Sequence, residues 1–197
     1  MASPGRDSAD PRWQLEPASG RAYLLLFVLS VLLPLVVGIA LQRGGEHLPQ
    51  PAAAVAEDSL VLARLLGAGM LLAITALVFA GAALLMRRHR LSITPGGIEI
   101  ATTFYTRRLA WDELRLDAAR VVSIGERPEL KPALKSNAVA VPGFASGWFR
   151  SRKFARLFVA TAGGDRVLWL PTHKGYDLLL QPRHPPALLE RLQQHGR

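Results

Sequence analysis

Two long apolar runs dominate the first half of the chain. The first, "AYLLLFVLSVLLPLVVGIAL", covers residues 22–41, and the second, "LLGAGMLLAITALVFAGAALLM", covers residues 65–86. Neither run contains an ionisable residue, and each is long enough, as an α-helix, to cross a hydrocarbon core of about 30 Å. Neither shows the polar face that a surface helix of a soluble protein carries. The pattern therefore predicts two transmembrane helices that form a hairpin.

The arginines around these runs predict the orientation of the hairpin. Cytoplasmic flanks of membrane helices are enriched in Lys and Arg. Three arginines precede the first run and three closely follow the second, whereas only two lie between the runs, in residues 42–64. We therefore expect residues 42–64 to form an external loop and both chain ends to lie in the cytoplasm. The net charge of +9 is interpreted as a topological signal and not as a sign of nucleic-acid binding.

A cleaved signal peptide is the alternative interpretation of the first run. "PAAAVA" at residues 51–56 offers small residues of the kind found at cleavage sites. The apolar run is, however, longer than the apolar region of a usual signal peptide, which has roughly 7 to 15 residues, and a polar, charged segment of about 20 residues precedes it. We therefore expect the first helix to be retained. Residues 1–21 are rich in Pro, Ser, Asp and Gly without periodic apolar positions, which predicts a disordered cytoplasmic tail.

Alternating apolar positions return after residue 86 and predict a folded domain over residues 87–197. The "PGG" of "LSITPGGIEI" lies between two short runs of alternating apolar residues, which predicts a β-hairpin. A second hairpin is predicted where residues 157–161 and 166–170 flank a Gly-Gly-Asp turn. Residues 125–137 contain two prolines and five charges, which predicts a loop.

A short helix at the end of the chain completes the predicted domain. "PPALLERLQQH" begins with proline, which suits a first helical turn, and its leucines recur on one face. About seven short strands are predicted before it, and "YDLLL" is the last of them. We expect a bent antiparallel sheet, or partly open barrel, with the amphipathic helix closing one end of the core.

Several local sequences of this domain resemble those of the bacterial PH-domain families, which are membrane-anchored relatives of the pleckstrin-homology fold. The similarity lies in "LSITPGGIEI", "FYTRRLAWDEL", "PGFASGWFR", "LWLPT" and "YDLLLQPRHPPALLERL", in that order, over residues 91–192. It implies a mainly-β PH-like fold and a role as a binding or assembly module without a known ligand. The chain departs from the family pattern at "SNAVAV" and at "SRKF", where the turn is more basic than the resemblance implies.

The segment "GWFRSRKFARLFVA" at residues 147–160 is the strongest candidate for a binding surface. It combines cationic and aromatic side chains and contains no acidic residue. Two interpretations remain open: the cations guard a strand edge against aggregation, or they bind an anionic lipid headgroup or an acidic protein partner. The candidate residues are Trp148, Arg150, Arg152, Lys153, Phe154 and Arg156.

The sequence offers no catalytic or metal-binding pattern. Cysteine is absent, and the five histidines are scattered without metal-ligand spacing. No phosphate-binding glycine loop and no His-Glu-x-x-His motif occurs. The apolar runs contain no acid or base that could relay protons. We therefore expect a protein that is not an enzyme and that uses no cofactor or metal ion.

Together these patterns predict a non-enzymatic binding or assembly module at the cytoplasmic face of a bacterial inner membrane. Besides the bilayer, the expected partners are a protein, a second copy of the chain or anionic lipid headgroups, and not nucleic acid. The alternative function is a small accessory subunit of a membrane complex, recognised through its transmembrane helices. A membrane-bound enzyme is a third alternative.

Overall fold

The computed structural model describes residues 11–44 and 57–195. The chain divides into two compact units. One unit is Tyr23–Leu84 and is helical. The other joins Met1–Ala22 to Leu85–Arg197 and contains all the described strands; it is called the β-domain below.

The helical stretches confirm the prediction of two long apolar helices. Residues 20–41 and 62–86 are both long and apolar enough to cross a membrane. A single turn of π-helix interrupts the first of them shortly before Pro34, where the proline ring would clash with the carbonyl four residues earlier in a regular helix. The helical elements are α1 (Gly20–Phe27), the π-helical turn (Val28–Leu32), α2 (Leu33–Gly44) and α3 (Glu57–Met86).

Side chains of α1 and α2 contact α3 within the helical unit. The rings of Phe27 and Phe79 meet edge to face, with centroids 5.5 Å apart. Gly38 lies directly against Leu71. A Cβ placed on this glycine would come within 2.8 Å of the Leu71 Cδ2. The predicted external loop, residues 42–64, is shorter than expected: α2 continues to Gly44 and α3 already begins at Glu57. The rest of that predicted loop lies outside the described residues.

The described residues of the β-domain form nine strands in two sheets, where about seven strands in one bent sheet were predicted. A three-stranded sheet has the order β1-β2-β3, and a six-stranded sheet has the order β4-β8-β9-β7-β6-β5. The strands are β1 (Arg90–Thr94), β2 (Gly97–Ala101), β3 (Thr106–Ala110), β4 (Arg120–Ser123), β5 (Pro132–Val141), β6 (Phe144–Ser151), β7 (Arg156–Thr161), β8 (Arg166–Pro171) and β9 (Asp177–Leu180).

The main core lies where apolar faces of both sheets meet the C-terminal helix. Inward-facing residues of the three-stranded sheet, such as Ile100 and Leu109, pack in one cluster with Phe158 and Leu178 of the six-stranded sheet. The predicted C-terminal helix is confirmed as α4 (Pro185–His195), and its Leu188 and Leu192 belong to the same cluster. A second, smaller apolar cluster involves side chains such as Leu157 and Val159.

The predicted hairpin around "PGG" is confirmed, whereas the predicted pairing of residues 157–161 with 166–170 is wrong. β1 and β2 pair antiparallel with Thr94 opposite Gly97. β7 and β8 are not neighbours, because β9 lies between them, antiparallel to β8 and parallel to β7. The reason is burial: "LLL" of β9 is completely buried and needs a strand on each side to satisfy its backbone. The six-stranded sheet is therefore not purely antiparallel.

The predicted loop at residues 125–137 is also partly wrong. Its second half forms the beginning of β5, which pairs with β6 from Pro132 onward. Pro132 is tolerated there because β5 is an edge strand, and proline lacks only a backbone donor. Register shifts after Pro132 and after Lys135 accommodate the irregular sequence.

The predicted disordered tail requires a correction over residues 11–21, since residues 1–10 lie outside the described part of the chain. The backbone of Leu15 forms an antiparallel bridge with Pro182. The Glu16 N–H donates to the carbonyl of Gln181 at 2.8 Å, and the Arg183 N–H donates to the carbonyl of Gln14 at 3.0 Å. Leu15 is 3% exposed and belongs to the main core. The composition of residues 11–21 favoured disorder, but Leu15 fills a place in the main core that the two sheets leave open.

Candidate functional site

The turn between β6 and β7 carries the exposed part of the predicted binding surface. Ser151, the last residue of β6, is buried and organises the turn. Its carbonyl accepts a hydrogen bond from the Phe154 N–H at 3.0 Å, and its Oγ accepts one from the Lys153 N–H at 3.2 Å. Arg152, Lys153 and Phe154 are therefore presented to solvent. These three residues are called the basic tip below.

Phe154 has an unusual backbone and an unusual exposure. Its φ is +62°, the left-handed region, and no other non-glycine residue in the described chain has a positive φ. Such a backbone is disfavoured for a bulky side chain. The side chain is nevertheless 66% exposed, so burial does not offset this cost. Strained residues of this kind are concentrated at functional sites, which favours a role in binding.

Arg150 and Arg156 flank the basic tip as a directly opposed cross-strand pair. Like charges in this register are unfavourable unless something separates or neutralises them. The Arg150 Nη1 donates to the carbonyl of Phe154 at 3.5 Å. The Arg156 guanidinium instead lies over the ring of Trp148, 5.3 Å from its centroid.

Trp148 does not belong to the exposed surface where it was predicted. It is 9% exposed and makes edge-to-face contacts with Phe158 and Tyr176. Because Arg156, Phe158 and Trp148 share one face of the β6–β7 pair, Trp148 faces the main core and only its rim is reached from outside. Phe154 is thus the only aromatic residue at the tip.

The position of the tip in the sheet excludes the interpretation that its cations guard a strand edge. β6 lies between β7 and β5, and β7 lies between β6 and β9. The edges of this sheet are β4 and β5. The basic tip closes two interior strands, so it shields no unpaired backbone.

The tip also lies far along β6 from the segment that leads into the first apolar helix. Gly143, one residue before β6, lies beside Ser19, since a Cβ on this glycine would come within 2.7 Å of the Ser19 Oγ. His89 stacks on Phe144, the first residue of β6, with ring centroids 4.7 Å apart. β6 is eight residues long, so the tip is about 23 Å from this end of the strand.

A cationic cleft of about 680 Å³ opens beside the tip, between β3, the β6–β7 pair and the β8–β9 connection. Sequence reasoning named only two of its residues, Trp148 and Arg156. It is called the Trp148 cleft below, and its other charged and aromatic residues are Glu99, Arg107, Arg108, Lys174 and Tyr176.

Two of the four cations in the Trp148 cleft are paired with carboxylates. The Arg108 Nε lies 2.8 Å from Glu99. The Lys174 Nζ lies 2.6 Å from Glu113, and this contact lowers the pKa of the Glu113 carboxyl and raises the pKa of the Lys174 amine. Glu113 also accepts a hydrogen bond from the Ala110 N–H at 3.1 Å and so caps the turn that follows β3.

Arg107 is the residue of the cleft that was hardest to predict from the sequence. It stands opposite the buried Ile100 and two residues before the buried Leu109, a position that points to the core. Its side chain is nevertheless exposed and lines the cleft, with its guanidinium 4.9 Å from the centroid of the Trp148 ring. An arginine at an inward-facing position of a strand was the available signal, but the register that reveals it required the structure.

Comparisons with known proteins leave the geometry as the sole basis for assigning a function. No family model matches the chain, and no curated protein or solved structure matches it either.

Proposed function

We propose that this chain is a membrane-anchored, PH-like binding module whose basic tip docks an acidic segment of a protein partner. The two apolar helices form a transmembrane hairpin and hold the β-domain at the cytoplasmic face of a bacterial inner membrane. The protein acts by binding and not by catalysis. The observation that carries the proposal is the basic tip itself: two cations and an exposed, strained Phe154 on a turn that protects no strand edge.

The N-terminal segment supports the topology. The backbone of Gln14 and Glu16 hydrogen-bonds to the backbone that follows β9, which supports placing residues before the first apolar helix and residues after the second on one side of the membrane. Two crossings give this arrangement, and the arginine distribution predicts that the shared side is the cytoplasm. Burial of Leu15 also favours retention of the first helix over cleavage.

The chemistry of the tip favours a protein partner. Aromatic and arginine side chains provide most of the binding energy in many protein interfaces. The separation of about 23 Å along β6 lets the tip reach a partner away from the segment that enters the first helix. Membrane anchoring supplies a high local concentration, so a modest affinity is sufficient.

Charge reversal at the tip is the test. With p-benzoylphenylalanine at position 154 of the full chain in its native membrane, we expect ultraviolet light to crosslink the tip to an acidic peptide. The double substitution Arg152→Glu and Lys153→Glu should reduce this crosslink at least about tenfold, since rim charges control encounter and each reversal replaces attraction by repulsion. Mass spectrometry identifies the crosslinked peptide and measures its yield.

The matched control is the double substitution Arg166→Glu and Arg183→Glu, which changes the net charge equally at the opposite end of the sheet, and it should leave the yield unchanged. A crosslink to lipid at position 154, or a protein crosslink that survives reversal of Arg152 and Lys153, contradicts docking of an acidic protein at the tip.

One observation favours the accessory-subunit alternative. Gly67 and Gly69 of α3 have open space around them, so a helix of another protein could approach closely there. The same crosslinker at position 69 tests this alternative. Capture of a partner from position 69 and none from position 154 would assign recognition to the apolar helices.

A further inference from the structure

The Trp148 cleft combines an aromatic floor with cations from separate parts of the β-domain. Trp148 lies on the core-facing side of β6, and Tyr176 packs against its edge, with centroids 4.9 Å apart. The guanidinium groups of Arg107 and Arg156 both lie over the Trp148 ring. Arg107 comes from the three-stranded sheet and Arg156 from the six-stranded sheet, so folding brings them together.

The charge of the cleft is not balanced. Glu99 neutralises Arg108, and Glu113 neutralises Lys174. Among the described residues, neither Arg107 nor Arg156 makes an ion pair. Two positive charges therefore remain in the cleft, 4.9 Å and 5.3 Å from the centroid of the same Trp148 ring. Such an arrangement attracts a ligand that carries about two negative charges.

A hydroxyl donor stands beside these two cations. Burial raises the pKa of Tyr176, with Arg107 and Lys174 opposing the shift, so the phenol keeps its proton at neutral pH. No hydrogen bond is found for this hydroxyl among the described residues. The cleft thus presents two guanidinium forks, an ammonium and a phenol. Guanidinium groups match the oxygens of phosphate bidentately.

We propose that the Trp148 cleft binds a phosphate monoester or inorganic phosphate through Arg107 and Arg156, with Lys174 and the Tyr176 hydroxyl as further donors. A phosphate monoester carries about 1.5 to 2 negative charges at pH 7, which matches the two unpaired cations. Cation–π contacts with Trp148 hold both guanidinium groups at the cleft. This site is independent of the docking of a partner on the basic tip.

The phosphate group could belong to a lipid headgroup or to a soluble compound, and three probes separate these sources. The full chain in a neutral detergent is titrated by calorimetry with inorganic phosphate, with glycerol 1-phosphate, and with micelles that contain phosphatidic acid. Sodium chloride at matched ionic strength corrects for general screening.

Wild type should bind at least one probe, and Arg107→Ala and Arg156→Ala should each weaken binding at least about tenfold through loss of charge-assisted hydrogen bonds. The matched control is Arg120→Ala, because Arg120 also stacks on a tryptophan, 4.6 Å from the Trp169 ring, but lies outside the cleft. Its affinity should equal that of wild type. Arg107→Lys and Arg156→Lys keep the charge and provide the test if an alanine variant fails to fold.

Binding of the two soluble probes with this pattern of losses supports a soluble phosphate ligand. Binding of phosphatidic acid alone, with the same pattern, supports a lipid headgroup. The proposal is overturned if folded wild type binds none of the probes, or if Arg120→Ala weakens binding as much as Arg107→Ala. None of these outcomes depends on crosslinking from position 154, so failure of one proposal leaves the other to be judged separately.

Discussion

Replacing Leu15 by alanine should lower the free energy of unfolding of the β-domain by about 2–5 kcal/mol. Leu15 is 3% exposed and packs in the main core although it lies before the first apolar helix. Truncation removes buried methyl groups and leaves a cavity that the two sheets cannot readily fill. Denaturant unfolding of the full chain in detergent, followed by near-ultraviolet circular dichroism, measures the change.

Leu134→Ala is the matched control for this prediction. Leu134 lies on the edge strand β5 and is 53% exposed, so its truncation should change stability by less than about 0.5 kcal/mol. Equal, small effects of the two substitutions would show that the N-terminal segment does not contribute to the core. That result would also remove the structural support for placing both chain ends on one side of the membrane.

Acidification should destabilise the β-domain through His89. This residue is 7% exposed, and burial lowers the pKa of its imidazole from 6.5 to about 4. Between pH 6.5 and about pH 4 the unfolded chain therefore binds a proton at His89, whereas His89 in the folded chain stays neutral. The stability that the neutral ring provides is complete above pH 6.5 and is lost as the pH falls from 6.5 to 4, by up to about 3 kcal/mol.

His89→Phe should remove most of this pH dependence, because phenylalanine retains the stack on Phe144 and cannot be protonated. The unfolding free energy of each protein is measured between pH 4 and pH 7. His173→Phe replaces an exposed histidine and should leave the pH profile of wild type intact. Parallel profiles for wild type and His89→Phe would show that His89 is protonated as readily in the folded chain as in the unfolded one.

Local patterns predicted the elements whose signals are contained in a few consecutive residues. The "PGG" turn forms from three consecutive turn-favouring residues, and Gly97 there has a φ of +153°, which L side chains rarely adopt. The C-terminal helix follows from an equally local signal, a proline at its start and leucines that recur on one face. In each case the residues that form the element are adjacent in the sequence.

Pairing over longer distances was not predictable from the same patterns. The turn around Gly163 looks like a hairpin turn, but β9 enters between its two strands because its three leucines require burial on both sides. Leu15 was missed because its polar neighbours indicated disorder. The cleft was missed because Arg107, Trp148 and Tyr176 are distant in sequence and meet only when the two sheets pack together.

Single-cysteine labelling distinguishes the proposed topology, in which two membrane crossings hold the β-domain at the cytoplasmic face, from its alternatives. The chain has no cysteine, so Phe154→Cys and Gln50→Cys each introduce a unique thiol. The full chain is produced in bacterial cells that allow a membrane-impermeant maleimide to reach the outer face of the inner membrane. We expect labelling at position 50 in intact cells, and labelling at position 154 only after permeabilisation. Labelling at position 154 in intact cells, or protection of both positions until permeabilisation, would contradict the proposed topology.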